Sequence, residues 1–157
     1  VNYRTPVEIM DVASAVLAVT DPAATPPRSV RSAGIAPSFV RSEASHLVAD
    51  VTDEVARLRK DLSEGTLAVI APDQHLGDLR QIFGEGGPGS NILDAEVGVF
   101  SATEAKGLEF DAVVLVEPGL IAGTSVAGLR GLYVALTRAT RLLTVVHANP
   151  LPPGLRS

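Results

Sequence analysis

Side chains that could do chemistry are concentrated in three stretches of the sequence. These stretches are Asn2–Thr5, Ser101–Asp111 and Leu132–Ala139. Two of them contain an arginine, Arg4 or Arg138, and a guanidinium combines a permanent charge with a planar fork that matches phosphate oxygens. Phosphate binding is therefore one chemistry that these stretches could serve. Spacing alone favours a plainer interpretation of Arg138, an ordinary ion pair on a helix face.

The sequence lacks the patterns of several other kinds of site. The phosphate loop G-x-x-x-x-G-K-[ST] and the nucleophile motif G-x-S-x-G are both absent. The glycine-rich run at 84–90 has no lysine and no preceding apolar strand, so we interpret it as a solvent loop. There are no cysteines, and the three histidines, His46, His75 and His147, lie far apart. We therefore predict no metal site and no catalytic triad.

The hydrophobic pattern predicts alternating helices and strands that would position these stretches. The predicted helices span about 5–20, 42–65, 73–83 and 126–138, and the predicted strands span 38–41, 67–71, 96–101, 112–116 and 142–147. Thr5 and Ser42 are the predicted caps of the first two helices. Residues 21–37, rich in proline and small residues, are predicted to form a loop.

The best predicted strands are apolar on both faces, which is typical of a parallel sheet covered by helices on both sides. The sequence thus predicts an α/β fold in a single domain. We assign residues 1–149 to this domain and residues 150–157 to a proline-rich tail.

Composition narrows the possible partners. The chain has 157 residues, with 18 acidic and 13 basic side chains and a net charge of −5, whereas a stand-alone nucleic-acid binder normally carries a basic patch. No apolar run reaches the roughly 18 residues of a membrane span, and no secretory signal is visible, so we expect a cytoplasmic protein without a membrane partner.

The three stretches resemble, in order, motifs IV, V and VI of superfamily 1 helicases of the UvrD, Rep and PcrA type. The family forms are roughly N-Y-R-S, A-K-G-L-E-F and Y-V-A-x-T-R-A. This sequence has N-Y-R-T at 2–5, A-K-G-L-E-F at 105–110 and Y-V-A-L-T-R-A at 133–139. The resemblance extends from residue 2 to about residue 147 and implies the second RecA-like lobe of such a motor.

This resemblance also implies roles for individual residues. Arg138 and Arg4 match the arginines that contact the γ-phosphate of ATP. Such an arginine commonly raises the rate of phosphoryl transfer by about three to five orders of magnitude. Tyr3 matches the aromatic that stacks on adenine, and Glu109 the acid that accepts from the ribose hydroxyl. The remaining implied contacts are Gly107 beside the nucleotide, and Thr103 and Lys106 beside nucleic acid.

The cofactor and partners follow from the same resemblance. ATP would lie between two RecA-like lobes, and its Mg²⁺ would be held by the N-terminal lobe, which also supplies the phosphate loop. The partners would be that lobe and a single strand of nucleic acid. The interpretation requires an accessible Arg138 guanidinium, which we expect at the carboxyl edge of the sheet.

Two departures from the family keep alternatives open. Thr103 stands where a histidine is usual, and Glu104 beside it would repel a nucleic-acid backbone. Only about ninety residues separate motifs IV and V, which leaves no room for the large inserted domain of the best-known helicases. A compact arrangement also occurs in HelD-type ATPases that act on RNA polymerase, so the same lobe in such an ATPase is an alternative.

A second alternative is a non-catalytic α/β binding module, although the joint retention of Arg4, Glu109 and Arg138 argues against it. We expect ATP-dependent helicase or translocase activity only in a protein that has both lobes. The chain by itself should be inactive, because half of the phosphate contacts would be absent and each charged contact contributes about 1.5–3 kcal/mol.

Overall fold

The computed structural model describes residues 5–20, 23, 35–62, 65–83 and 97–155. Within these ranges the helices are Val7–Thr20 (α1), Leu47–Leu62 (α2), Asp73–Phe83 (α3), Ala102–Ala105 (α4), Pro118–Ala122 (α5) and Val126–Leu136 (α6). The strands are Ser38–Arg41 (β1), Leu67–Ile70 (β2), Val97–Phe100 (β3), Phe110–Val116 (β4) and Ala139–His147 (β5). A short 3₁₀ helix, Ala44–His46, precedes α2.

The described strands form one parallel sheet in the order β1-β5-β4-β2-β3. All four residues of β2 are buried, and so are the last five of β4. Strands that are apolar on both faces need cover on both faces, and the sheet receives it. The predicted α/β fold, a parallel sheet with helices on both sides, is confirmed.

The two faces of the sheet hold separate apolar layers. On one face, α1, α4, α5 and α6 cover β4 and β5, with Ile9, Leu115 and Leu132 fully buried. On the other face, the regular apolar stripe of α2 packs on β2 and β4 together with Leu79 of α3. None of the described helices has both the length and the apolar character that a membrane span requires.

The structure corrects one predicted cap. Ser42 does not cap a helix: the 3₁₀ helix begins after Glu43, and the Ser42 hydroxyl donates instead to the carboxylate of Asp50 in α2. The helix thus starts later than the sequence suggests. The physical reason is that Ser42 directly follows the edge strand β1, and its backbone N–H bonds the carbonyl of His147 in β5.

The segment that the sequence predicts as a tail packs back on the domain. Leu155 is only 3% exposed and belongs to the apolar layer around α1, and Pro152 is also buried. Gly154 has a positive φ of +86°, and a Cβ there would lie 2.5 Å from the carbonyl oxygen of Ala15 in α1. The loop predicted at 84–90 and most of the one predicted at 21–37 lie outside the described residues.

Candidate functional site

Arg138 lies between α6 and β5, at the amino edge of the sheet. Its backbone carbonyl accepts a hydrogen bond from the N–H of Phe110, the first residue of β4, at 2.9 Å. The expectation of a position at the carboxyl edge was therefore wrong. The residue directly before a strand stands at that strand's amino end, and β4 and β5 are parallel, so the amino ends of both strands meet here.

The guanidinium of Arg138 is half-buried and is held by its own chain. Its Nε donates to the carbonyl oxygen of Val134 at 2.9 Å, Nη1 donates to that of Leu108 at 3.1 Å, and Nη2 donates to Oγ1 of Thr137 at 3.2 Å. Among the described residues its acceptors are thus all neutral. The plainer alternative, an ordinary ion pair, is not formed there.

These bonds join two of the three stretches singled out in the sequence. The Leu108 carbonyl belongs to the second stretch and the arginine to the third, 30 residues further along the chain. The two strands continue the contact, because Thr140 donates its hydroxyl to the carbonyl of Phe110 at 3.2 Å. Motifs V and VI therefore form one local unit at the start of β4 and β5.

The first stretch reaches the same unit through its last residue. Thr5 is buried and donates its hydroxyl to the backbone carbonyl of Thr137 at 3.3 Å. That carbonyl immediately precedes Arg138. Tyr3 and Arg4, the predicted nucleotide contacts of this stretch, lie outside the described residues.

The turn before β4 explains the glycine of the second stretch. Gly107 has a φ of +84°, a region that favours glycine, and no heavy atom would lie within 4 Å of an added Cβ. The backbone conformation, rather than close packing, thus requires the glycine. Glu109 is exposed, so burial of its carboxylate is no argument for or against the predicted ribose contact.

Glu104 is part of a capping box that sequence reasoning missed. Ser101 accepts the backbone N–H of Glu104 at 3.1 Å, while the Glu104 carboxylate accepts that of Ser101 at 2.9 Å. The carboxylate also pairs with Arg80 of α3 at 2.8 Å. The Ser101 hydrogen bond, and then Arg80, hold the pKa of Glu104 below its usual range. The signal was present, because S-x-x-E is the pattern of a capping box.

Two predicted nucleic-acid contacts lie beside this box. Thr103 is exposed within α4, and Lys106 is exposed directly after it. The negative charge of Glu104 next to them is offset by Arg80. The predicted repulsion of a phosphate backbone at this place is therefore smaller than the sequence alone indicates.

Tyr133 connects the arginine to α1. Its hydroxyl contacts Sδ of Met10 at 3.7 Å, and the ring is half-buried between α6 and α1. Burial raises the pKa of Tyr133 above its usual value, while the nearby charge of Arg138 acts in the opposite direction. The tyrosine therefore packs α6 against α1 just before the arginine.

A buried carboxylate at the opposite edge was also not predicted. Glu117 follows β4, is 2% exposed and has a φ of +49°. Its carboxylate accepts the backbone N–H groups of Ala148 at 2.9 Å and Asn149 at 3.1 Å, and also the Asn149 side chain. It joins the ends of β4 and β5 and contacts nothing at the arginine.

Comparison with known proteins agrees with the motif pattern. Residues 97–146 match the family described as the UvrD-like helicase C-terminal domain. This range begins at β3 and includes all of motif V and all of motif VI. A solved structure of the C-terminal domain of a possible DNA helicase from Lactobacillus plantarum WCFS1 superposes with a TM-score of 0.68. It is 25% identical, and the match covers 98% of this chain and 92% of that chain.

The resemblance to the C-terminal lobe of UvrD-like helicases is confirmed. No curated protein matches the sequence. The structural match covers nearly the whole chain, whereas the family match covers residues 97–146. The HelD-like alternative gains no support from these comparisons and stays a prediction.

The described part of this chain offers no group of three His, Asp or Glu side chains that could hold a metal ion. Its site-forming groups are instead an arginine, backbone carbonyls and hydroxyls around the start of β4 and β5. The N–H donors of the guanidinium suit phosphate oxygens, and its positive charge repels a divalent cation. The assignment of Mg²⁺ to the other lobe stays a prediction.

Proposed function

We propose that this chain is the second motor lobe of a superfamily 1 DNA helicase or translocase, and that it completes an ATP site shared by two RecA-like lobes. The observation that carries the proposal is the setting of Arg138. Its guanidinium is half-buried, its acceptors among the described residues are neutral, and it joins the segments that match motifs V and VI. An arginine whose charge is not neutralised by a carboxylate is available to an anion.

In this proposal Arg138 neutralises charge that develops on the transferring γ-phosphoryl group. Three of the five N–H groups of its guanidinium bond the described chain, which leaves one on each terminal nitrogen. A bidentate phosphate contact uses two N–H groups of one guanidinium. Bound ATP with Mg²⁺ would supply the reacting phosphoryl group, and Arg4 would add a second positive charge.

The other predicted contacts complete the proposed site. Tyr3 would stack on adenine, and Glu109 would accept from the ribose hydroxyl beside the turn at Gly107. Thr103 and Lys106 would contact phosphates of a single strand of nucleic acid. Both are exposed and stand next to a carboxylate that Arg80 already pairs, which supports such a contact.

The alternatives differ from this proposal in the partner or in the chemistry. A HelD-like ATPase would use the same arginine but act on RNA polymerase, and a non-catalytic binding module would not use the arginine in hydrolysis. A superfamily 1 motor works on intracellular nucleic acid, so the predicted cytoplasmic location belongs to the same proposal.

The test is Arg138→Ala in a protein that contains both lobes. We expect the rate of ATP hydrolysis to fall at least about a hundredfold, because the transition-state charge loses its arginine. The matched control is Arg130→Ala, which removes an exposed arginine of α6, the helix that precedes Arg138, and should leave the rate unchanged. Circular dichroism and the melting temperature check that both variants fold. A rate near that of the wild type for Arg138→Ala would overturn the proposal.

A further inference from the structure

Thr137 contacts Arg138, the last turn of α6 and the residue that precedes α1. The residue is 7% exposed, and its Oγ1 accepts from Nη2 of the arginine at 3.2 Å. The same hydroxyl lies 3.1 Å from the carbonyl of Tyr133 and 3.0 Å from that of Val134, and these two carbonyls are the acceptors for its single proton. Its backbone carbonyl accepts from Thr5 at 3.3 Å.

These contacts determine the direction from which the Thr137 hydroxyl oxygen can accept a hydrogen bond. Because the proton points back at the last turn of α6, a lone pair of Oγ1 remains for the arginine. The threonine is β-branched and buried, so its rotamer is restricted as well. The hydroxyl is therefore a fixed acceptor, unlike a freely rotating one on the surface.

A third contact restricts the orientation of the guanidinium further. Two carbonyl contacts, from Val134 to Nε and from Leu108 to Nη1, leave Nη2 without an acceptor. The Thr137 hydroxyl supplies it, so that each of the three nitrogens has one acceptor in the chain. A charged group that is oriented before the reaction stabilises a transition state without reorganising during it.

We infer that Thr137 is a positioning residue for Arg138 and sets the orientation of the two N–H groups that remain for phosphate. This inference rests on the proposed function, since it assigns the contact of Arg138 to the γ-phosphoryl group. It goes further in naming a hydroxyl that does not itself touch the nucleotide. The same residue also ties the arginine to Thr5, the last residue of the first stretch.

The experiment compares Thr137→Val and Thr137→Ser in the protein with both lobes. Valine keeps the branched shape and removes the acceptor, so kcat for ATP hydrolysis should fall about tenfold while KM for ATP changes less than about twofold. Serine keeps the hydroxyl and should restore kcat to within about twofold of the wild type. If Thr137 had only a structural role, kcat would depend on the methyl group, which serine lacks, rather than on the hydroxyl, which valine lacks.

Thr52→Val is the matched control. Thr52 also donates its hydroxyl to its own helix, to the carbonyl of Val48 at 2.9 Å, but it lies in α2 on the other face of the sheet. Its kcat should equal that of the wild type. A tenfold loss for Thr52→Val would show that removal of any such hydroxyl lowers activity, and it would overturn the inference.

The double variant Thr137→Val with Arg138→Ala separates this inference from the proposed function. If the hydroxyl acts through the arginine, the double variant has the same kcat as Arg138→Ala alone. A further tenfold loss in the double variant, or a normal kcat for Thr137→Val, overturns the positioning role while the proposed function stands. A normal kcat for Arg138→Ala instead overturns the proposed function.

Discussion

At the scale of single residues, two described charged groups at opposite edges of the sheet have different hydrogen-bonding environments. Arg138 at the amino edge is half-buried and meets neutral acceptors. Glu117 at the carboxyl edge is 2% exposed and has its carboxylate occupied by N–H donors of Ala148 and Asn149. A carboxylate with its acceptors filled is structural, whereas an arginine with N–H groups to spare can bind a ligand.

We predict that Glu117→Ala destabilises the domain by about 2–3 kcal/mol, because hydrogen bonds to charged groups contribute about 1.5–3 kcal/mol and their donors would be left without an acceptor. Glu117→Gln keeps an oxygen for the two backbone donors and should lose about half as much. The control is Glu43→Ala, whose side chain is 82% exposed and which should change stability by less than about 0.5 kcal/mol. Urea unfolding midpoints measure all three, and equal midpoints for Glu117→Ala and Glu43→Ala would contradict the prediction.

At the scale of elements, the short helix α5 and the longer α6 meet so closely that a glycine is required between them. A Cβ on Gly128, in the first turn of α6, would overlap the backbone carbonyl of Ala122 at the end of α5. Gly131 is one turn further along the same helix, and nothing lies within 4 Å of a Cβ built there. The two glycines thus differ in packing, although both lie inside one helix.

This difference predicts opposite effects for the same substitution. Gly131→Ala should stabilise the domain by about 0.5–1 kcal/mol, because alanine loses less backbone freedom than glycine in a helix. Gly128→Ala should destabilise it by at least about 1 kcal/mol, since α5 must move away and the overlap is with backbone. Thermal and urea unfolding of the two variants give the comparison. A stabilised Gly128→Ala would show that α5 is free to shift.

The elements also show where the hydrophobic pattern was sufficient. The predicted strand at 38–41 and the helix at 73–83 have the observed bounds. The helices α4 and α5 were not predicted, because four and five residues are too few to show a helical period. The strand β5 begins at Ala139 rather than at residue 142, since its pairing with Phe110 extends it beyond its apolar run.

At the scale of the whole molecule, the described lobe has an arginine for a phosphate group but lacks, in its sequence, the phosphate loop that would bind the rest of a nucleotide. The net charge of −5 further disfavours independent binding of a polyanion. The function that we propose therefore depends on a second lobe.

We predict that the 157-residue chain by itself has no measurable ATPase activity and at best weak nucleotide affinity. Each missing charged contact to the phosphates would cost about 1.5–3 kcal/mol, so the loss of several reduces affinity by orders of magnitude. Phosphate release by the isolated chain and by the protein with both lobes, assayed side by side, provides the measurement. Turnover by the isolated chain at a rate similar to that of the complete protein would contradict the shared site.

The sequence by itself determined the residue types and their local setting. The two-sided apolar strands fixed a parallel sheet with helices on both faces, and the motif pattern indicated Arg138 among all the arginines. The strand pattern and the motif depend on residues that are close together in the sequence, so they can be recognised without the tertiary structure.

Only the tertiary structure decided what the arginine contacts and at which edge it lies. The carbonyl of Leu108 is 30 residues from Arg138 along the chain, and Thr5 is 132 residues from Thr137. These pairs meet because β4 and β5 are neighbours in the sheet and because α1 packs on α6. Strand order and helix packing arise from the burial of many side chains at once, which no local period encodes.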